Sequence, residues 1–136
     1  MNTGNSPRQE DYLEAILQVQ SHKPVARVKE IAAKLNVSRP TVTATLKQLV
    51  SAELVVHPDY GYIRLTQKGR DIAEAVRQRH TLLTTFFVDV LGVDRDTASE
   101  DACRAEHVIS NTSLKRLAAF MDFINSASST KQDWLT

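Results

Sequence analysis

Apolar residues recur three or four positions apart along most of the chain, a spacing that predicts helices. A first helix is predicted over residues 9–20 and a short second helix over residues 28–35. After a turn at residues 36–38, a third helix is predicted to follow Ser38, whose hydroxyl can accept a hydrogen bond from an otherwise free backbone N–H. Pro40 lies in the first turn, where its missing N–H has no cost.

The period changes in the segment LVVHPDYGYIRLT, residues 54–66. Two apolar runs rich in β-branched and aromatic residues flank the turn sequence PDYG, which predicts a β-hairpin. Helix, turn, helix and hairpin in this order form a winged helix-turn-helix. We therefore expect a mainly α protein, with a DNA-binding winged helix-turn-helix that has a two-stranded wing over residues 1–72. A second, helical domain is expected over residues 73–136.

Three more helices are predicted after the hairpin. A long helix begins at Gln67, continues to about Leu91 and links the two domains. Asp94 or Asp96 is expected to cap a helix that carries the sequence DACRAEHVIS, and a last amphipathic helix is predicted over residues 112–124.

Composition indicates an ordinary globular chain, with 42% apolar and 24% charged residues in 136. No apolar run is long enough to span a bilayer, and the first ten residues lack the apolar centre of a signal peptide, so we expect a cytoplasmic protein. The single cysteine, Cys103, cannot form an internal disulfide and suits packing, metal binding or catalysis.

Charge is unevenly distributed along the chain, although the formal net charge is only +1. Residues 1–79 hold 12 Lys and Arg against 8 Asp and Glu, a balance of +4. Residues 80–136 hold 5 against 8, a balance of −3. The first part therefore suits a polyanion, and the second part has surplus carboxylates that suit a cation.

The third helix is predicted to bury Val42, Leu46 and Leu49, which leaves a small, hydroxylated and basic face outward. The major groove of B-form DNA admits an α-helix whose N-terminal residues reach base edges. A solvated surface is the alternative explanation for one such helix, but the order of elements and the basic balance favour DNA binding. The predicted DNA-binding residues are Arg27, Lys29, Ser38, Arg39, Pro40, Thr41, Thr43, Lys47, Tyr60 and Arg64.

Cys103, Glu106 and His107 are spaced i, i+3 and i+4, which is expected to bring a thiol, a carboxylate and an imidazole onto one helical face. Each alone has an ordinary explanation, as a packed cysteine, a solvated acid or a hydrogen-bonded histidine. Together, such donors beside apolar stripes would be costly to desolvate without a cation. If the helices that carry them meet, six side chains can surround one or two divalent ions. The candidate ligands are Asp11, Glu14, His80, Cys103, Glu106 and His107.

Four segments, EDYLEAI, IAAKLNVSRPTVTATLKQL, LTQKGR and DACRAEHVIS, together resemble the diphtheria toxin repressor family of iron- and manganese-responsive repressors. The resemblance covers residues 9–124. It implies a homodimer that represses transcription from a palindromic operator when Mn²⁺ or Fe²⁺ is bound. It also implies that residues 73–136 form the metal-binding and dimerisation domain. Our hypothesis is that the ion ties the first helix to this domain and so fixes the separation of the two DNA-reading helices.

The metal ligands implied by the resemblance combine those of iron-type members with those of manganese-type members of the family. Cys103, Glu106 and His107 match the primary iron site, and His80 matches a ligand used in both branches. Asp11 and Glu14 match the manganese-type pair, whereas many manganese-type members have a glutamate at the position of Cys103. Asp11 and Glu14 favour manganese, and the thiol admits Fe²⁺ and, in vitro, Co²⁺, Ni²⁺ or Zn²⁺.

Other positions depart from parts of the family. Thr84 and Ser99 stand where iron-type members supply a carboxylate and an imidazole to an ancillary site, so that version of a second site is not expected. Ala44 replaces a polar reading residue of some relatives, so the operator sequence does not carry over. As in manganese-type members, we expect no SH3-like third domain.

Dimer contacts are expected from Leu82, Leu83, Phe86, Phe87 and the stripe 114–120, unless these residues form the core within one chain. A rival interpretation is a metal-independent winged-helix regulator that senses a small organic ligand. A zinc hydrolase is disfavoured because the spacing HExxH is absent, and no phosphate-binding glycine loop or nucleophile–base pair points to an enzyme.

Overall fold

The structure, a computed structural model, describes residues 6–58 and 61–126. Six α-helices and three short β-strands lie in these ranges, which confirms the mainly α winged-helix fold. The chain forms two compact units, one that ends at Ala75 and one that begins at Val76. None of the helices in the described ranges has the length and apolarity needed to cross a lipid bilayer.

The N-terminal unit combines three helices with a small antiparallel sheet. Strand β3 pairs with both other strands, so the strand order is β1-β3-β2. The predicted two-stranded wing is therefore extended by β1, whose two residues are too few to produce a recognisable alternation. The elements are α1 (Pro7–Gln20), β1 (Ala26–Arg27), α2 (Val28–Leu35), α3 (Arg39–Ser51), β2 (Val55–Val56) and β3 (Tyr62–Leu65).

One apolar core holds this unit together. Leu13 and Ile16 of α1, Leu46 and Leu49 of α3, and Ile63 of β3 have no exposed surface. Full burial of such a side chain contributes about 1.5–3 kcal/mol. The core therefore fixes α3 against both α1 and the sheet.

The turn between α2 and α3 is built from the residues that the sequence indicated. Asn36 ends α2 with φ of 55°, a left-handed conformation that asparagine tolerates better than most residues. Ser38 caps α3 by accepting a hydrogen bond from the backbone N–H of Thr41, at 3.3 Å. Pro40 lies in the first turn, so the predicted start of α3 is confirmed.

Helix α4 (Gln67–Thr85) contains the boundary between the units and ends in a π-helical turn, Phe86–Val90. The N–H of Leu91 donates to the carbonyl of Phe86 at 3.2 Å, five residues back instead of four. The sequence predicted a continuous helix to Leu91, and it gave no indication of this wider turn.

Gly69, in the first turns of α4, is in close contact with the preceding segment. A Cβ atom at this position would collide with the backbone carbonyl of Leu54. Glycine is therefore required here for packing, because it lets the two backbones approach.

The C-terminal unit continues with α5 (Arg95–Ala105) and α6 (Asn111–Asn125). Its core contains Leu83, Ala102 and Leu114. Leu82, Phe87 and Leu117 are partly buried against this core. Several residues considered for dimer contacts therefore belong to the core within one chain. Phe120 and Phe123, by contrast, are 43% and 72% exposed.

Candidate metal centre and DNA-binding surface

Three of the candidate ligands, Cys103, Glu106 and His107, lie at or just beyond the C-terminal end of α5. Asp94 caps its start by accepting a hydrogen bond from the N–H of Thr97 at 3.0 Å, and this bond lowers the pKa of Asp94. The helix ends before Glu106, which is its C-cap, and His107 lies in the following turn. Of the three residues expected on one helical face, Cys103 alone therefore lies within α5.

The carboxylate of Glu106 lies between two imidazoles. Its Oε2 is 2.9 Å from Nδ1 of His80, and its Oε1 is 3.4 Å from Nε2 of His107. Glu106 has no exposed surface, and His107 is 6% exposed. A buried carboxylate needs compensating charge or hydrogen bonds, and a carboxylate between two imidazoles suits a metal ion.

The imidazole of His80 is contacted on both ring nitrogens by residues of α5. Sγ of Cys103 is 3.7 Å from Nδ1, and Oγ of Ser99 is 3.4 Å from Nε2. Burial lowers the pKa of His80, so the ring is neutral near pH 7. Neutral imidazole is the form that binds metal ions.

These donors fit a divalent metal ion. Candidate ligand atoms of His80, Cys103 and Glu106 all lie within 4.8 Å of one another. Metal–ligand bonds of about 2.0–2.3 Å place two donors around one ion roughly 3–4.5 Å apart. Small side-chain adjustments would therefore bring nitrogen, sulfur and oxygen onto one ion.

Asp11 and Glu14 lie about one turn apart on α1, in the N-terminal unit, and both are half-buried. Tyr12 and Leu13, between them, are buried in the core of that unit. The role of Asp11 and Glu14 as metal ligands stays a prediction from the sequence.

Arg79 is a structural support of the candidate metal centre that the sequence did not reveal. Its guanidinium donates a hydrogen bond to the backbone carbonyl of Glu106 at 3.3 Å, and the side chain is only 7% exposed. The bond links α4 to the C-cap of α5, so it helps to position the carboxylate. The one feature of the sequence that could have indicated this role is the position of Arg79 next to the candidate ligand His80.

Helix α3 presents the predicted DNA-reading face to solvent. Arg39, Pro40, Thr43 and Lys47 are exposed, whereas Val42, Leu46 and Leu49 are buried, as the spacing predicted. Ser38 is occupied as the N-cap, and its hydroxyl lies 2.7 Å from that of Thr41.

The exposed basic side chains that were predicted to bind DNA keep their charge available. Five exposed cations of the predicted DNA-binding set form no ion pair with the described residues. Such side chains can neutralise phosphates without first breaking an internal contact. They are Arg27, Lys29, Arg39, Lys47 and Arg64. Tyr60, also predicted to bind DNA, lies outside the described residues.

A cleft of about 540 Å³ separates α3 from the turn of the wing. Thr43 and Lys47 line one side, and His57, Pro58 and Gly61 line the other. The outward face of α3 and the wing therefore border one concave surface, as expected where a winged helix receives a DNA strand.

A winged helix with available cations, followed by a helical unit with a cluster of metal donors, defines the class of metal-responsive DNA-binding regulators. Two family models match the chain: "Iron dependent repressor, N-terminal DNA binding domain" over residues 6–63, and "Iron dependent repressor, metal binding and dimerisation domain" over residues 66–135. The chain belongs to the iron-dependent repressor family of metal-dependent, DNA-binding transcriptional repressors. The resemblance to the diphtheria toxin repressor family is confirmed.

Two individual relatives show the extent of the similarity. The chain is 31% identical to the HTH-type transcriptional regulator MntR of Bacillus subtilis over 94% of its own length and 89% of the relative's. It is 33% identical to the diphtheria toxin repressor of Corynebacterium glutamicum over 85% of its own length and 51% of the relative's.

A solved structure described as a manganese-dependent transcriptional repressor in complex with manganese matches with a TM-score of 0.78 and 33% identity. The match covers 85% of this chain and 53% of the other, so the chain spans about half the length of that structure. The structure of the manganese regulator SloR matches with a TM-score of 0.77 and 30% identity, and the match covers 88% of this chain and 55% of SloR.

Proposed function

We propose that the chain is a homodimeric repressor that binds a palindromic DNA operator when Mn²⁺ or Fe²⁺ occupies its metal site, and that it controls genes of metal-ion homeostasis. The observation that carries this proposal is the position of Glu106. Each oxygen of this buried carboxylate lies beside a different histidine, and the thiol of Cys103 lies beside the same ring nitrogen of His80.

His80, Cys103, Glu106 and His107 are the proposed ligands from the C-terminal unit, and Asp11 and Glu14 are the proposed ligands from α1. A bound divalent ion supplies positive charge that stabilises the buried carboxylate. His80 offers a neutral ring nitrogen, and Arg79 holds the Glu106 backbone so that the carboxylate is positioned before binding. Since the proposed ligands come from both units, metal occupancy and DNA affinity are expected to be coupled, typically by 1–3 kcal/mol in such linked equilibria.

The proposed ligands favour neither Mn²⁺ nor Fe²⁺ strongly. Mn²⁺ prefers oxygen ligands, which Asp11, Glu14 and Glu106 supply, and the Cys103 thiolate favours later and softer ions. We propose manganese as the preferred ion by a small margin, with iron accepted. If Asp11 is a ligand, Asp11→Met replaces a hard donor by a soft one and shifts the ranking toward Fe²⁺. An unchanged ranking would contradict that assignment.

DNA recognition is assigned to α3 and the wing. Arg39, Thr43 and Lys47 are exposed on α3, and the cleft beside the wing is lined by two of them. In a dimer, two copies of α3 would enter successive major grooves, one helical turn or roughly 34 Å apart. This arrangement accounts for a palindromic operator.

The proposal is tested by measuring DNA affinity with Mn²⁺, with Fe²⁺ under anaerobic conditions, and after removal of metal by a chelator. The probe is a duplex selected by the Mn²⁺-loaded protein from a randomised library. We expect tight binding with either ion and a loss of at least about fivefold after chelation, the lower end of the coupling range. Equal affinity in the chelated sample would refute metal control and favour the metal-independent regulator.

A pair of lysine variants tests the DNA surface. Lys47→Ala removes an exposed cation from α3, and the slope of log affinity against log salt concentration is expected to fall by about 0.9 for each lost phosphate contact. Lys34→Ala, at the exposed end of α2, is the matched control and should leave the slope unchanged. Equal slopes for both variants would contradict the assignment of α3.

A further inference from the structure

The outer face of the three-stranded sheet carries two arginines. Strand alternation buries Ala26, Val55, Ile63 and Leu65 and leaves their neighbours outward. The register places Arg27 opposite Tyr62 and Val56 opposite Arg64, so these residues form two cross-strand pairs on one face. The outward strand residues described in the structure include no carboxylate. They are Arg27, Val56, Tyr62 and Arg64.

Arg27 is stacked on the ring of Tyr62. Its guanidinium carbon lies 5.4 Å from the ring centroid, within the range of a cation–π interaction, and Tyr62 is 42% exposed. A stacked guanidinium uses its flat face, so the N–H donors around its edge remain available for a phosphate.

The nearest acidic group on α2, Glu30, forms its ion pair with Lys23, although its charge also acts on Arg27. Glu30 accepts a hydrogen bond from the backbone N–H of Arg27 at 2.9 Å, and its other carboxylate oxygen forms an ion pair with Lys23. The bond to Lys23 is the main reason that the pKa of Glu30 is lowered. The guanidinium of Arg27 therefore lies ordered on an aromatic ring, without an ion-pair partner among the described residues.

We propose that this sheet face is a DNA-phosphate contact surface made by Arg27 and Arg64, and that Tyr62 is a positioning residue for Arg27. The inference rests on the proposed DNA-binding function. It adds Tyr62, which is neither basic nor on α3, to the residues that support DNA binding. Tyr62 restricts the guanidinium to one orientation before DNA arrives, so less side-chain freedom is lost when a phosphate binds.

An aromatic residue also suits a strand for reasons of β-propensity alone, so the test separates positioning from strand stability. The probe is a 30-base-pair duplex of random sequence at low salt, with MnCl₂ present throughout, because phosphate contacts do not depend on base sequence. Affinity is measured for full-length wild type and for Tyr62→Ala, Tyr62→Val, Tyr62→Phe and Arg27→Ala. The double variant Tyr62→Ala/Arg27→Ala completes a mutant cycle.

We expect Tyr62→Ala and Tyr62→Val to weaken binding by about two- to fivefold, the fold-change that corresponds to an exposed cation–π contact. Tyr62→Phe keeps the ring and should bind as wild type does. Arg27→Ala should weaken binding and lower the salt slope, and adding Tyr62→Ala to it should cause no further loss. Tyr62→Val keeps a strand-forming residue, so it reports on the ring even where Tyr62→Ala fails to fold.

Three results would overturn the inference. If Tyr62→Phe binds DNA as weakly as Tyr62→Val, the contact belongs to the tyrosine hydroxyl and not to the ring. If Tyr62→Ala weakens binding as much in the Arg27→Ala background as in wild type, Tyr62 acts independently of Arg27. Wild-type affinity in Arg27→Ala would remove the pair of Arg27 and Tyr62 from the DNA contact. If Lys47→Ala still weakened binding in that case, the proposed DNA-binding function would stand without this surface.

Discussion

The position of Glu106 leads to a prediction about metal-dependent stability. Glu106→Gln keeps the size of the side chain and removes its charge. Since the side chain of Glu106 meets both His80 and His107, the variant replaces a charged oxygen ligand beside the two histidines by a neutral amide. Substitution of residues that merely orient a metal ligand costs about 10–100-fold in affinity, so loss of this ligand should cost at least about 100-fold.

The expected size of the effect follows from ligand linkage. At a metal concentration about 100 times the wild-type dissociation constant, binding stabilises the folded protein by about 2.7 kcal/mol. If the dissociation constant rises about 100-fold, the same concentration contributes only about 0.4 kcal/mol. For a chain of this size these values correspond to thermal shifts of roughly 10 °C and 2 °C.

The assay is thermal unfolding of wild type, Glu106→Gln and a matched control, Glu100→Gln, each with Mn²⁺ and with chelator. Glu100 is an exposed glutamate on α5, and its variant should keep the full metal-induced shift. A Glu106→Gln protein with the wild-type shift would refute the metal site. A reduced shift in Glu100→Gln as well would indicate a general effect of charge on metal binding.

Three other outcomes are expected. Cys103→Glu replaces a thiol by a carboxylate, so isothermal titration should give a higher ratio of Mn²⁺ to Co²⁺ affinity than in wild type, and an unchanged ratio would mean that the thiol is not a ligand. Asp94 has a pKa lowered from 3.8 by the Thr97 backbone N–H, so its contribution to stability is present above that pH and is lost as pH falls through the lowered pKa. Wild type should therefore be more stable than Asp94→Asn by a margin that shrinks toward low pH. Thermal unfolding between about pH 2.5 and pH 6, a range that spans the ordinary pKa of an aspartate, measures this margin. A constant difference would contradict the capping role. Gly69→Ala should lower the free energy of unfolding by about 1–3 kcal/mol because its methyl meets the Leu54 carbonyl, whereas Lys68→Ala, at an exposed neighbour, should stay within about 0.5 kcal/mol in urea unfolding.

Local chemistry made much of the N-terminal unit predictable. Ser38 and Pro40 mark the start of α3 because capping and the missing proline N–H act within one turn. The buried stripe of α3 follows from its spacing. Strand β1 escaped prediction because its pairing with β3 depends on residues more than thirty positions away along the chain.

The candidate metal centre was predictable in composition but less so in geometry. The sequence identified Cys103, Glu106 and His107 as a group, but no glycine or proline indicates that α5 ends before Glu106. Which imidazole meets which carboxylate oxygen depends on tertiary packing, as does the bond from Arg79. Local spacing does not encode these contacts.

The π-helical turn at Phe86–Val90 accommodates one residue more than a regular α-helix would over the same rise. Each residue advances an α-helix by about 100°. Removing one residue from this turn would therefore let α4 continue regularly with little change in the direction of the chain from Leu91 onward, whereas removing a residue from a regular part of α4 would rotate everything beyond it by about 100°. The π-helical turn thus absorbs one residue between Thr85 and Leu91 without rotating α5 away from His80.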